Sequence, residues 1–151
     1  MARAIPCILV VEDERAVRDL IVAFLKTAGY AVVAAGNAEE AAYYLLKDNG
    51  LDIRLAVVDL VLPNASGLTL IRKLREAKAE RRRTLPVIVL TGRTDTDTYK
   101  AAARRGIQAY LIKPVSCALL LDTVSNVLGP RAKALQTAAP TAPPSALESF
   151  E

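Results

Sequence analysis

Leu55-Ala56-Val57-Val58-Asp59-Leu60-Val61-Leu62-Pro63 is the stretch that decides the fold. Its apolar, partly β-branched run has the length of a buried strand and is too short for an ordinary helix. One carboxylate ends the run, and a short apolar loop and a proline follow. Open α/β sheets collect their ligands just beyond the carboxyl ends of their strands, so Asp59 is the first candidate for chemistry. The plain alternative is an aspartate that starts a turn by bonding its own backbone.

The same grammar repeats on both sides of this stretch. Cys7-Ile8-Leu9-Val10-Val11 reads as a strand, broken by Glu12-Asp13-Glu14, after which Val17, Leu20, Ile21, Phe24 and Leu25 recur at helical spacing up to Gly29. A second short strand at 31–35 precedes Asn37, a good N-cap with Glu39 and Glu40 in the first turn of a helix that reaches Asn49-Gly50. Gly67 opens a third helix through Leu68, Ile71, Leu74 and Arg75, expected to run on into Arg81-Arg82-Arg83. Pro86-Val87-Ile88-Val89-Leu90 is a fourth strand, and Asp95 or Thr94 caps a fourth helix ending at Arg104-Arg105-Gly106. Ala109-Tyr110-Leu111-Ile112 is a fifth strand, stopped by Lys113-Pro114, and a strongly apolar fifth helix runs from Ser116 to Leu128. The expected organisation is one folded domain over residues 1–128 and an Ala/Pro-rich flexible tail over 129–151.

Composition removes whole classes of function. The 151 residues, 52% hydrophobic, suffice for one domain with a real core, and no apolar run approaches the roughly 18 residues of a membrane span. Cys7 and Cys117 have no CxxC partner or disulfide framework, so buried reduced thiols and a cytoplasmic location are expected. With 0 His the chain holds no Ser-His-Asp system, no histidine zinc site and no phosphohistidine of its own. The net charge of +4 is modest, and its arginines gather at helix ends without interleaved aromatics, so direct nucleic-acid binding is not expected.

Five strand-helix units with continuous apolar strands predict a parallel α/β sheet covered by helices on both faces. The residues just past the strand ends then share one rim: Glu12-Asp13, Asp59, Thr91-Gly92 and Lys113-Pro114. Each has an ordinary reading, such as Asp13 capping a helix or Lys113 lying solvated in a turn. Together they are three carboxylates, a hydroxyl and an ammonium at one edge. Clustered carboxylates repel unless a divalent cation joins them, and an all-oxygen donor set favours magnesium. Such a set suits phosphoryl transfer to a carboxylate, with Asp59 as a nucleophile that needs no deprotonation and Lys113, Thr91 and the Gly92 N–H positioned to hold the phosphoryl oxygens.

The segments Ile8-Leu9-Val10-Val11-Glu12-Asp13-Glu14, Val57-Val58-Asp59-Leu60-Val61-Leu62-Pro63 with Gly67, Val89-Leu90-Thr91-Gly92 and Tyr110-Leu111-Ile112-Lys113-Pro114 resemble the receiver domain of two-component response regulators, of the stand-alone chemotaxis-regulator kind. The likeness extends from about Ile5 to Leu128. It implies a flavodoxin-like, doubly wound five-stranded sheet of order 2-1-3-4-5 with five helices. It also implies Asp59 as phosphoacceptor, and Mg2+ held by Asp13, Asp59 and the Val61 carbonyl, with Glu12 assisting through water or at longer range. Thr91, Gly92 and Lys113 would bind the phosphoryl group, Lys113-Pro114 would carry a cis peptide, and Thr91 with Tyr110 would form the switch. Family members commonly have two aspartates where this chain has Glu12-Asp13.

A sensor histidine kinase or histidine phosphotransfer protein is the implied phosphoryl donor. The implied readout is a face made by the fourth helix, fifth strand and fifth helix, which controls a downstream protein partner or relays phosphate. The protein is expected to be a monomer or weak dimer and to turn over no separate substrate. Two other readings stand beside this one: a receiver-like scaffold that binds partners without phosphorylation, and the receiver fragment of a larger DNA-binding regulator. An aspartate-nucleophile phosphatase would want a second carboxylate two residues after Asp59, where Val61 stands.

Overall fold

The computed structural model describes residues 6–129. Five long strands, β1 (Pro6–Val11), β2 (Val32–Ala35), β3 (Asp52–Val58), β6 (Val87–Thr91) and β7 (Ala109–Ile112), form one sheet in the order β2-β1-β3-β6-β7. All neighbours pair in parallel. In order of the long strands this is 2-1-3-4-5, as expected. The tail expected over 129–151 lies outside the described residues apart from Gly129.

Alternation along the strands divides the core in two. Leu9, Val11, Ala56, Val58, Val87 and Val89 point to one face and pack with α2 (Ala38–Leu46), α3 (Gly67–Arg75) and α5 (Thr96–Arg104). Ile8, Val10, Leu55, Val57, Ile88 and Leu90 point to the other and pack with α1 (Arg15–Thr27) and α6 (Cys117–Leu128). Both faces are dry, which is why these strands read as unbroken apolar runs. Both thiols are buried, and burial, with the Asp52 carboxylate nearby, pushes Cys7 up to about 11.

Side-chain caps start four of the helices. Asn37 Oδ1 accepts from Glu40 N–H at 2.8 Å, Ser66 Oγ from Leu68 N–H at 3.1 Å, Asp95 Oδ2 from Thr98 N–H at 3.0 Å and Ser116 Oγ from Leu119 N–H at 3.1 Å. Between the two readings of the fourth helix start, Asp95 is the cap.

Three features depart from the sequence reading. β3 begins at Asp52, and an irregularity in its pairing with β1 skips Arg54, which is exposed and bonds Asp52 at 2.9 Å. The segment after Asp59 forms a small antiparallel hairpin, β4 (Val61–Leu62) with β5 (Ala65–Ser66), turned by Pro63 and Asn64 at φ 58°. The third helix stops at Arg75, and a separate one-turn helix, α4 (Glu80–Arg83), makes six helices among the described residues.

Arg75 accounts for that break. Its guanidinium donates to the carbonyls of Arg105 (2.8 Å), Arg83 (3.0 Å), Leu85 (2.8 Å) and Gly106 (3.0 Å). The chain beyond α3 must fold back so that Arg83 at the end of α4 and Leu85 just past it present their oxygens to Arg75, which a continuous helix would carry away from it. Arg75→Met is expected to destabilise the fold by about 3 kcal/mol, since four carbonyls lose a charged donor. Lysine should not rescue it, because one ammonium lacks the planar fork. Urea unfolding checks this, and a loss under about 1 kcal/mol would contradict it.

Candidate functional site

The sheet ladder continues past the strand ends and so delivers the rim residues to one place. Glu12 N–H donates to Ala35 O at 3.0 Å, Asp59 N–H to Val11 O at 3.0 Å, and Lys113 N–H to Thr91 O at 2.9 Å. Asp59 therefore lies beside the Glu12-Asp13 corner and Lys113 beside Thr91. One carboxylate oxygen from each of Glu12, Asp13 and Asp59 lies within 4.8 Å of the other two. Glu12 and Asp59 are buried and Asp13 is exposed.

Lys113 bridges the two buried carboxylates. Its Nζ donates to Asp59 Oδ2 at 2.7 Å and to Glu12 Oε1. The peptide that follows, Lys113-Pro114, is cis. Asp59 Oδ1 accepts from Val61 N–H at 3.0 Å, so the turn reading of Asp59 is also true: one oxygen shapes the loop while the other faces the ammonium. Val61 itself is exposed at the hairpin. One ammonium does not neutralise three carboxylates, and the cluster could hold a metal ion. The donor set fits magnesium in kind, since all its groups are hard oxygens.

Thr91 is fully buried at the end of β6, and its Oγ1 accepts a long 3.4 Å bond from Arg93 N–H. A Cβ added at Gly92 would meet no atom within 4 Å, so the space beside its backbone is open. Tyr110, half-buried on β7, donates its hydroxyl to Arg93 O at 2.8 Å and packs edge-on against Tyr99 with ring centroids 5.2 Å apart. Arg93 also bonds Asp95 at 3.0 Å. The loop after Thr91 is thus tied to both Tyr110 and the start of α5. Asp95 is held at about 2 by its bonds from the Thr98 hydroxyl and N–H and from Arg93.

Two contacts that shape this rim were not legible in the sequence: the close approach at Gly67, a residue already part of the family motif, and the bonds of Arg18. Gly67 N–H donates to Leu60 O at 2.9 Å, and a Cβ there would lie 2.4 Å from Asp59 O and 2.8 Å from Leu60 Cα. Arg18 Nη1, from α1, donates to Glu12 O at 2.9 Å and Asp13 O at 3.3 Å. Neither has a signal in sequence beyond glycine at a helix start and arginine on a helix.

Burial pushes the Glu12 carboxyl above its ordinary range, against the opposing pull of Lys113 and of the Glu14 N–H. Burial also disfavours the Lys113 charge, but its bonds to Asp59 and Glu12 outweigh this and hold it above its ordinary range. The sign follows from proton uptake: folded Glu12 holds a proton more tightly than unfolded Glu12, so stability falls as pH rises through the window from 4.5 to its raised value. Lys113 contributes stability that persists through this window and is lost as pH rises from 10.5 through its raised folded value. Glu12→Gln is expected to flatten the slope and to raise metal-free stability near neutrality. Urea unfolding at several pH values measures both effects, and an unchanged slope in the variant would contradict them.

The comparisons with known proteins agree with this geometry. The response regulator receiver domain model matches residues 8–125. The transcriptional regulatory protein AruR of Pseudomonas aeruginosa is 35% identical over 126 residues, 82% of this chain and 50% of that protein. HprR of Escherichia coli is 33% identical over 117 residues, 78% of this chain and 49% of that protein. The chain thus spans about half the length of these two relatives; it spans 16% of the sensory/regulatory protein RpfC, which is 32% identical. A response regulator receiver protein from Pseudomonas putida superposes with TM-score 0.73 at 35% identity, covering 83% of this chain and 99% of that one. The receiver domain of a sensor histidine kinase from Pseudomonas aeruginosa, solved with a magnesium ion coordinated in its active-site cleft, superposes with TM-score 0.71 at 25% identity, covering 83% and 98%. Residues 8–125, the doubly wound sheet and the acidic rim at its carboxyl edge identify the chain as a member of the response regulator receiver domain family of two-component systems.

Proposed function

We propose that Asp59 accepts a phosphoryl group from a phosphohistidine on a sensor kinase or phosphotransfer protein, and that the acyl phosphate resets the loop after Thr91. The observation that carries this reading is Lys113 Nζ shared between Glu12 and Asp59 within a three-carboxylate cluster. Glu12, Asp13, Asp59 and the Val61 carbonyl would hold Mg2+, which when bound supplies positive charge to the carboxylates and to the transferring phosphoryl oxygens. In the transfer, an Asp59 oxygen bonds phosphorus as the donor's N–P bond breaks. Lys113 moves its hydrogen bond from the carboxylate to a phosphoryl oxygen, and the Thr91 hydroxyl and Gly92 N–H bond the others.

The product carries roughly −1.5 to −2 charges. Thr91 meets that anion only by moving toward it, which strains the loop that Tyr110 grips through Arg93 O. Tyr99 on α5, Ile112 on β7 and Leu119 on α6 are large, exposed apolar residues, and we place the partner-binding face there. Leu120, Val124 and Leu128 of α6 are buried and Leu121 and Val127 pack against the same core, so Leu119 is the large apolar residue this helix exposes. The chain would act by binding partners and would turn over no separate substrate. A second reading, output through a domain joined to this one, is supported by the half-length coverage of AruR and HprR. On either reading residues 1–128 form the receiver and 129–151 a tail or linker.

Beryllofluoride, a phosphoryl mimic, tests the site without a cognate kinase. With Mg2+ present, amide resonances of Thr91, Gly92, Tyr110 and Lys113 are expected to shift in the wild type and to stay in place in Asp59→Asn. Silence in the wild type would favour the unphosphorylated scaffold.

A further inference from the structure

We propose that Arg18 is a positioning residue for the divalent-cation site, and that Gly36 leaves the space its guanidinium occupies. The inference rests on the cation-dependent reading of the rim given above. Helix α1 begins at Arg15 with Glu14 at its N-cap, and Glu14 makes no side-chain cap bond. The corner of residues 12–14 is instead held in two ways. Glu12 Oε2 accepts from Glu14 N–H at 3.0 Å. Arg18, half-buried one turn into the helix, places Nη1 on the carbonyls of both Glu12 and Asp13.

These are the two residues whose carboxylates meet Asp59. One nitrogen therefore fixes two successive peptide planes, and through them the directions in which two candidate ligands leave the backbone. Ligand orientation by groups that do not touch the metal is a general determinant of affinity. Gly36 follows β2 on the other side of the guanidinium. A Cβ there would lie 3.0 Å from Arg18 Nη1 and 3.7 Å from Arg18 Cζ and would meet nothing else within 4 Å. Its backbone is not in the left-handed region, so alanine is conformationally tolerable, and its methyl displaces the far end of one flexible side chain.

Two effects of Arg18 oppose each other, which makes the sign of the test decisive. As a nearby cation, Arg18 repels Mg2+, so removing it should tighten binding by Coulomb's law alone. As a positioning group its removal should weaken binding. The experiment is a Mg2+ titration of the metal-free full chain, followed by amide chemical shifts, for wild type, Arg18→Met, Gly36→Ala and the double variant.

Arg18→Met is expected to raise the Mg2+ Kd about 10-fold or more. Gly36→Ala should shift it in the same direction, and the double variant should be no weaker than Arg18→Met. Metal-free urea unfolding of the same proteins separates a general loss of folding from a loss of metal affinity. Equal or tighter binding in Arg18→Met overturns the proposal, and so does an additive double variant. A wild type that fails to bind Mg2+ overturns the cation-dependent function itself and this inference with it.

Discussion

Lys113→Met is expected to slow phosphoryl uptake by Asp59 about 10²–10³-fold, the usual consequence of deleting one charged donor aimed at a transferring group. The same substitution strips the cation from two buried carboxylates, Glu12 and Asp59. Breaking a buried pair by removing one partner costs about 3–5 kcal/mol. Glu12 loses two of the interactions that lower its pKa, its hydrogen bond and its attraction to Lys113, so its carboxyl rises further. The penalty is therefore largest at high pH and shrinks as pH falls and Glu12 takes up a proton. Magnesium, if held by the same carboxylates, should restore part of the loss and stabilise this variant more than the wild type. Urea unfolding with and without Mg2+ reads these effects. A metal-free variant as stable as the wild type at neutral pH would contradict the account of the site.

Gly67→Ala should combine a folding defect with a site defect. The added methyl would sit 2.4 Å from Asp59 O and 2.8 Å from Leu60 Cα, both backbone atoms. Neither can swing away as a side-chain tip would, so either α3 backs off the sheet edge or the acceptor's peptide moves. The expected destabilisation is at the upper end of the overpacking range, about 3 kcal/mol. Phosphoryl uptake should fall as well, because Asp59 Oδ1 shapes the same loop through Val61 N–H. Gly92→Ala is the contrast. With nothing within 4 Å of the added carbon, its unfolding free energy should stay within about 0.5 kcal/mol of the wild type. Equal losses in the two variants would contradict the close-approach explanation of Gly67.

Strands and rim were legible for a physical reason. A parallel sheet buried on both faces demands continuous apolar runs, and the parallel arrangement forces all strand ends to one edge. Recognising where Val11, Val58, Leu90 and Ile112 stop was enough to bring Glu12, Asp59, Thr91 and Lys113 together. Helix starts were legible through Asn37, Asp95 and Ser116, whose short polar side chains bond the first free N–H groups.

The missed features depend on partners distant in sequence. Arg, Lys, Glu and Ala between 75 and 83 favour a continuous helix by propensity, and only the carbonyls of Arg105 and Gly106, thirty residues on, reveal why Arg75 turns inward. A missing Cβ at Gly67 leaves no trace of the peptide it approaches. The β4–β5 hairpin is two residues per strand, too short for any period to register.

Intact-mass spectrometry after incubation with acetyl phosphate tests the central claim most directly. The samples are wild type with Mg2+, wild type without it, and Asp59→Asn with it. The account predicts a single phosphoryl addition in the first sample alone. An addition of the same size in Asp59→Asn, or one indifferent to Mg2+, would contradict it.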